Sequence, residues 1–321
     1  MFDFLKRLFF IIPTKPHIIQ IEITNRCNLD CAMCPRKNFG LVYEDMDFNI
    51  LKQAAEKIPC SSEIILTGWG EPLLHPDIHK IISLFKEKDC FVRLTTNGTL
   101  LSKEMVKKLI DDGLDSISIS VDSFDKLNDN DERHKSSLTE NIISDFIAIR
   151  ADRKKPFIIL QPTLHKGKEN ELLQLIREGK RLGVDRINIV RLDTRFNKNL
   201  KSLTIKEEYA LAKEIMALSS KLKIRVDFLP FIALTGLKRI FFVVFGRLLF
   251  RKNRPCLKLY NYLYITNFGK ITPCCSLPRY EIGDLLSQSL NEIWNGSNFK
   301  KFRKKSNLVC KDCDMLRLPD R

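Results

Sequence analysis

Three cysteines, Cys27, Cys31 and Cys34, stand in the string C-N-L-D-C-A-M-C, a C-x3-C-x2-C spacing. Three thiolates this close on one loop can hold three irons of a cubane cluster and leave the fourth iron open to an outside ligand. A tetrahedral zinc site wants a fourth protein ligand, and neither Asp30 nor His17 offers one at zinc spacing. A second set, Cys256, Cys274, Cys310 and Cys313, reads C-x17-C-x35-C-x2-C. Four thiolates can ligate a cluster completely or form a zinc ribbon, and Cys275 competes with Cys274 for its place in the set. Cys60 and Cys90 sit where helices give way to strands and read as small buried hydrophobes. A disulfide scaffold does not account for the ten cysteines, because such scaffolds are short and secreted and this chain has 321 residues.

These thiols need elements to position them. Short β-branched runs at 17–24, 63–68, 90–96, 116–122, 157–163 and 186–192 alternate with amphipathic segments such as FNILKQAAEKI, SKEMVKKLIDDG and ENELLQLIREGKRLG. Six β-then-α units predict a parallel sheet closing part of an eight-unit barrel, with chemistry at the C-terminal ends of its strands. Cys27, Cys31 and Cys34 follow the first run. Thr67-Gly68-Trp69-Gly70-Glu71-Pro72 follows the second, Thr96-Asn97-Gly98 ends the third and Ser120-Val121-Asp122 ends the fourth. A charged loop at 123–137 then carries Arg133, and Gln161 and His165 close the fifth run as candidates for substrate contact.

In this order and spacing the chain resembles the radical SAM superfamily, whose motif is C-x3-C-x-φ-C; φ, usually aromatic, is Met33 here. The resemblance implies a partial (β/α)6 TIM-like barrel and a four-iron cluster on Cys27, Cys31 and Cys34. Its open iron would bind S-adenosylmethionine (SAM) and split it to a 5′-deoxyadenosyl radical that abstracts hydrogen from substrate. It further implies that Gly68, Gly70 and Glu71, similar to the family's G-G-E-P motif with Trp69 for its first glycine, meet the SAM amino group. Asn97, Ser120 and Asp122 fall at positions that hold SAM, and Arg133 at one that meets its carboxylate. The tail, with its turn at Asn267-Phe268-Gly269, its P-C-C, I-G-D and S-L-x-E-I-W strings and its final C-x2-C, closely resembles a SPASM/twitch domain. That implies a second [4Fe-4S] cluster on Cys256, Cys274, Cys310 and Cys313, able to accept an electron.

The organisation expected is an apolar and basic segment at 1–16, a barrel at 17–200, a connector at 201–255 and the auxiliary domain at 256–321. The net charge is +15, and no Asp or Glu lies between Asp227 and Glu281. Such a stretch favours anionic partners, although a solvated basic face explains it equally well. Lys238, Arg239 and Arg247 argue against a membrane span through 229–250, leaving an interfacial element or a cover for the barrel edge. The expected location is cytoplasmic, peripheral to a membrane at most. The expected partners are a reductase or a flavodoxin- or ferredoxin-type electron donor, with no nucleic acid. Dehydrogenation or cross-linking of a sugar-like, lipid-linked or peptide substrate is the leading reading. No peptide-binding domain is legible ahead of the barrel, which favours the smaller substrates. A non-catalytic zinc- or nucleic-acid-binding protein is the alternative from another class.

Overall fold

The computed structural model describes residues 12–124, 136–195, 197, 199–228, 256, 258–310 and 313. Arg133, the 229–250 segment and most of the 1–16 segment lie outside the described residues. The fold is α/β with parallel strands, and the chain forms two compact units. One unit draws on Met1–Cys27, Arg36–Arg93 and Ile240–Asp312, the other on Asn28–Pro35, Leu94–Arg239 and Cys313–Arg321.

In the first unit β1 (Ile18–Ile21) lies between β2 (Glu63–Leu66) and β9 (Tyr262–Ile265), parallel to both. β9 turns back antiparallel into β10 (Lys270–Thr272), which pairs with β11 (Gly283–Asp284). The expected hairpin at Asn267-Phe268-Gly269 is therefore present, closed by the Thr266 N–H donating to the Lys270 carbonyl at 2.9 Å. Its first strand joins β1, although Gln20 and Tyr262 are 242 positions apart, and no local pattern announces that pairing.

Strand alternation divides this sheet into two chemically different faces. Ile19, Ile21, Ile64, Leu66, Leu263 and Ile265 form one, each 0% exposed. With Leu51, Ala54 and Ala55 of α1 (Phe48–Lys57) and Ile81, Ile82 and Phe85 of α2 (Ile78–Lys86) they make the aliphatic core. Burying each of the larger side chains contributes about 1.5–3 kcal/mol. The opposite face carries Gln20, Tyr262, Tyr264 and, one step past β1, Glu22, all buried yet all polar.

β3 (Phe91–Thr96) carries the chain from one unit to the other. In the second unit β4 (Ser116–Ile119), β5 (Phe157–Leu160), β7 (Arg186–Arg191) and β8 (Arg225–Phe228) run parallel. α3 (Lys103–Asp111), α4 (Ser136–Arg150), α5 (Glu169–Leu182) and α6 (Ile205–Leu222) alternate with them. The expected 157–163 strand is interrupted: Pro162 has no N–H to donate, so pairing breaks there and resumes as β6 (Thr163–Leu164) beside β7. β8 was not expected. Its four residues follow the long helix α6 with only Lys223 and Ile224 between, and the segment reads as helix flank until its pairing with β7 is seen. The tail continues through the short helices α7 (Lys258–Asn261) and α8 (Leu290–Asn295) to α9 (Ser297–Val309). No helix among the described residues is long and apolar enough to cross a membrane.

Candidate functional site

Cys27, Cys31 and Cys34 lie beyond β1 on one loop, all three reduced and partly exposed. The chain before Cys27 is fixed first. Thr24 bridges to Asp45, its hydroxyl donating to the Asp45 carboxylate at 2.6 Å, and Arg26 forms an ion pair with the same carboxylate. The G-W-G-E-P turn then docks on this stretch, with the Glu71 N–H donating to the Arg26 carbonyl at 2.8 Å. Gly70 is obligatory at that contact, because a Cβ there would lie 2.5 Å from the carbonyl oxygens of both Thr24 and Arg26. The G-x-G-E-P motif thus brings its own backbone against the chain leading into Cys27. Glu71 is 2% exposed, and its Oε1 accepts the Leu73 N–H at 3.1 Å, so one carboxylate oxygen caps the turn after Pro72.

In the second unit, the loop carrying Cys31 and Cys34 is closed by the Cys34 N–H donating to the Cys31 carbonyl at 2.9 Å. Asn97 fastens it: the Asn97 amide donates to Asn28 Oδ1 at 2.9 Å, and the Asn28 amide donates to Thr99 Oγ1 at 2.8 Å. Asn97 Oδ1 also accepts the Thr99 N–H at 2.9 Å. Asn97, expected as a SAM contact, holds the cysteine loop in this structure. Asn197 adds a further tie to the Ala32 carbonyl at 2.9 Å, which no motif in the chain announces.

Ser120 is 8% exposed at the end of β4. Asp122 Oδ1 accepts the Thr163 N–H at 2.6 Å, and its Oδ2 lies 4.0 Å from His165 Nε2, so Asp122 and His165 come together. Gln161 accepts from Asn188 at 3.1 Å. His75, by contrast, is consumed by structure: one ring nitrogen lies 3.0 Å from the Met46 carbonyl and the other accepts the Asp77 N–H at 3.1 Å.

Within the tail, Cys274 is half-buried, and desolvation pushes its thiol up, with the neighbouring Cys275 and Cys256 adding to the effect and Lys258 opposing it. Burial holds the ionisation of Tyr262 and Tyr264 well above the usual range, with Cys275 adding to the effect at both and Cys274 at Tyr262. Among the described residues no three His, Cys, Asp or Glu side chains converge on a single ion. A cubane does not require that, since it spreads its thiolates over separate corners. Half-exposed cysteines on a loop pinned by backbone contacts suit it.

Sequence reasoning missed Glu22. It is 1% exposed, and burial raises its carboxyl to about 7, against the lowering effects of the Trp69 N–H, which it accepts at 2.8 Å, and of the Tyr264 hydroxyl. A Cβ on Gly68 would collide with the Glu22 side chain. The signal was present in I-I-Q-I-E-I-T, where alternation puts Glu22 on the face of Gln20.

A family model for the radical SAM superfamily matches residues 21–151, and one for the SPASM iron–sulfur cluster-binding domain matches residues 256–314. The tungsten-containing aldehyde ferredoxin oxidoreductase cofactor-modifying protein of Pyrococcus furiosus is 36% identical over 107 residues, 32% of this chain and 30% of that protein. The match thus spans under a third of that relative's length. The AdoMet-dependent heme synthase of Methanosarcina barkeri is 25% identical over 305 residues, covering 91% of this chain and 86% of that one. Among solved structures, Streptococcus suis SuiB bound to precursor peptide SuiA superposes with a TM-score of 0.69 at 18% identity, covering 97% of this chain and 72% of SuiB; a likeness at that identity carries the fold alone. With both family models matched in the expected order and the α/β fold in agreement, the chain belongs to the radical SAM superfamily and carries a C-terminal SPASM domain, so its cofactors are SAM and iron–sulfur clusters.

Proposed function

We propose that the chain uses a [4Fe-4S] cluster on Cys27, Cys31 and Cys34 to cleave SAM reductively, and a second on Cys256, Cys274, Cys310 and Cys313 to take up an electron from substrate. The reaction is an oxidation, either a dehydrogenation or a cross-link, of a sugar-like, lipid-linked or peptide substrate. When bound, the first cluster and SAM supply the hydrogen-abstracting radical and the second supplies an electron acceptor. The protein's part is to place and shield them. The observation that supports this reading is the docking of the Gly70 turn, whose sequence resembles the family's SAM-binding motif, on the Thr24–Arg26 backbone that leads into Cys27.

Glu71 and the turn's backbone would receive the SAM amino group, and Ser120 and Asp122 its ribose. Asn97 would act one step back, holding the cysteine loop through Asn28. Arg133 keeps its proposed role on the SAM carboxylate. Cys274 is taken as the ligand ahead of Cys275 on its spacing in the sequence. An acidic flavodoxin- or ferredoxin-type protein would supply the first electron.

Anaerobic incubation with SAM and a reductant is the test. Release of 5′-deoxyadenosine is expected, with about eight irons per reconstituted chain and about four after Cys27, Cys31 and Cys34 are replaced by Ala. No nucleoside from a chain holding both clusters, or undiminished nucleoside from the triple variant, refutes the proposal. Zinc without iron would favour the non-catalytic alternative.

A further inference from the structure

Trp69 stands where the family's G-G-E-P motif has its first glycine, and in this chain it is bonded at both ends. Its N–H donates to Glu22 Oε1 at 2.8 Å, and its indole Nε1–H donates to the Cys275 carbonyl at 2.8 Å. Phe39 packs on the ring at 5.1 Å between centroids and 51° between planes. The flanking glycines hold the backbone on either side of the indole, since Gly68 abuts Glu22 and Gly70 abuts Thr24 and Arg26. The motif turn is thereby tied to the Cys275 carbonyl, in the peptide that joins Cys275 to Ser276.

Two further bonds tie the tail to the segment that carries Phe39, at Gly40 and Glu44. Arg279 donates to the Gly40 carbonyl at 2.6 Å, and its guanidinium fills the space a Cβ on Gly40 would need. Asn267 donates to the Glu44 carbonyl at 3.2 Å. The acceptors of these two bonds and of the indole are main-chain carbonyls, so each bond fixes a backbone position rather than a movable side chain. An indole N–H half-buried on a carbonyl is also costly to leave unmade.

We infer that Trp69 is a positioning residue that couples the SAM-contacting turn to the P-C-C turn, so that occupancy of the auxiliary cluster site strengthens SAM binding. The inference rests on the ligand assignment proposed above. Thermodynamic coupling is reciprocal: whatever orders the P-C-C turn orders the motif turn through this bond, and SAM in turn favours the cluster-bound tail. A glycine in place of Trp69 has no side chain to carry such a link.

The experiment is a double-mutant cycle read by equilibrium binding of labelled SAM to anaerobic, reconstituted protein, independent of turnover. One arm removes the auxiliary cluster by Cys310→Ala with Cys313→Ala, repeated with Cys256→Ser in case the first pair perturbs the tail. The other is Trp69→Phe, which keeps a ring against Phe39 and loses the indole N–H, with Trp69→Gly as a second version. Removing the auxiliary cluster is expected to weaken SAM binding about three- to tenfold with Trp69 present, the worth of one well-placed hydrogen bond, and less than about twofold in the Trp69→Phe and Trp69→Gly backgrounds. An equal loss in both backgrounds, or no loss with Trp69 present, overturns the inference. Iron content separates the failures: a drop to about four irons with no change in the SAM ratio sinks the coupling alone. About eight irons retained in both auxiliary variants sinks the ligand assignment and the coupling with it.

Discussion

Replacing Glu22 with Gln should stabilise the protein at alkaline pH and do little at acid pH. Glu22 is 1% exposed, and its folded carboxyl stands at about 7 against an ordinary value of 4.5. Because the folded value is the higher one, the native state prefers the protonated form. The stabilising contribution is complete below the ordinary value and disappears as pH rises through about 7. A shift of this size corresponds to on the order of 3 kcal/mol between the two limits, at about 1.4 kcal/mol per pKa unit. Gln keeps an oxygen for the Trp69 N–H and cannot ionise, so it avoids that cost. Tyr264 on β9 faces the carboxyl, and its own ionisation is held well above the ordinary range by burial, so it adds no charge across this window. Anaerobic urea unfolding at about pH 5.5 and about pH 8.5 is the assay, with the variant's advantage expected to be about 2 kcal/mol larger at the higher pH. A difference that does not change with pH, or one favouring the native Glu22 at the higher pH, refutes the argument. Difference infrared spectra should show a protonated-carboxyl band lost through the same interval and absent from the variant.

Gly70→Ala forces a methyl to within 2.5 Å of two carbonyl oxygens; it should cost about 1–3 kcal/mol in unfolding and weaken SAM binding at least about tenfold by equilibrium dialysis. Asn97→Ala removes the amide holding Asn28, so chelators should strip iron from the N-terminal site faster, followed by loss of the cluster's visible absorbance, with stability lowered by only about 1 kcal/mol. Glu208→Ala removes the carboxylate that pairs with Arg191, the two side chains being 3% and 7% exposed; a loss of at least about 1 kcal/mol in chemical unfolding is expected, with SAM affinity unchanged.

The local features of this protein are legible because they follow from neighbours in sequence. Alternating β-branched runs and amphipathic stretches give β1 to β5 and β7 and the helices between them, and the tight C-x3-C-x2-C and G-x-G-E-P spacings mark the site without coordinates. What eluded the sequence depends on distant partners. β8 is four residues beside a long helix and becomes a strand only by pairing with β7; β9 lies against β1 because the fold returns the tail there. That the Asn97 amide reaches Asn28, 69 positions away, is likewise decided only by the fold. Glu22 looks like an ordinary carboxylate on an alternating strand. Only enclosure by Gly68, Trp69 and Tyr264 removes its water and raises its proton affinity, since desolvation belongs to the packed environment and not to the residue.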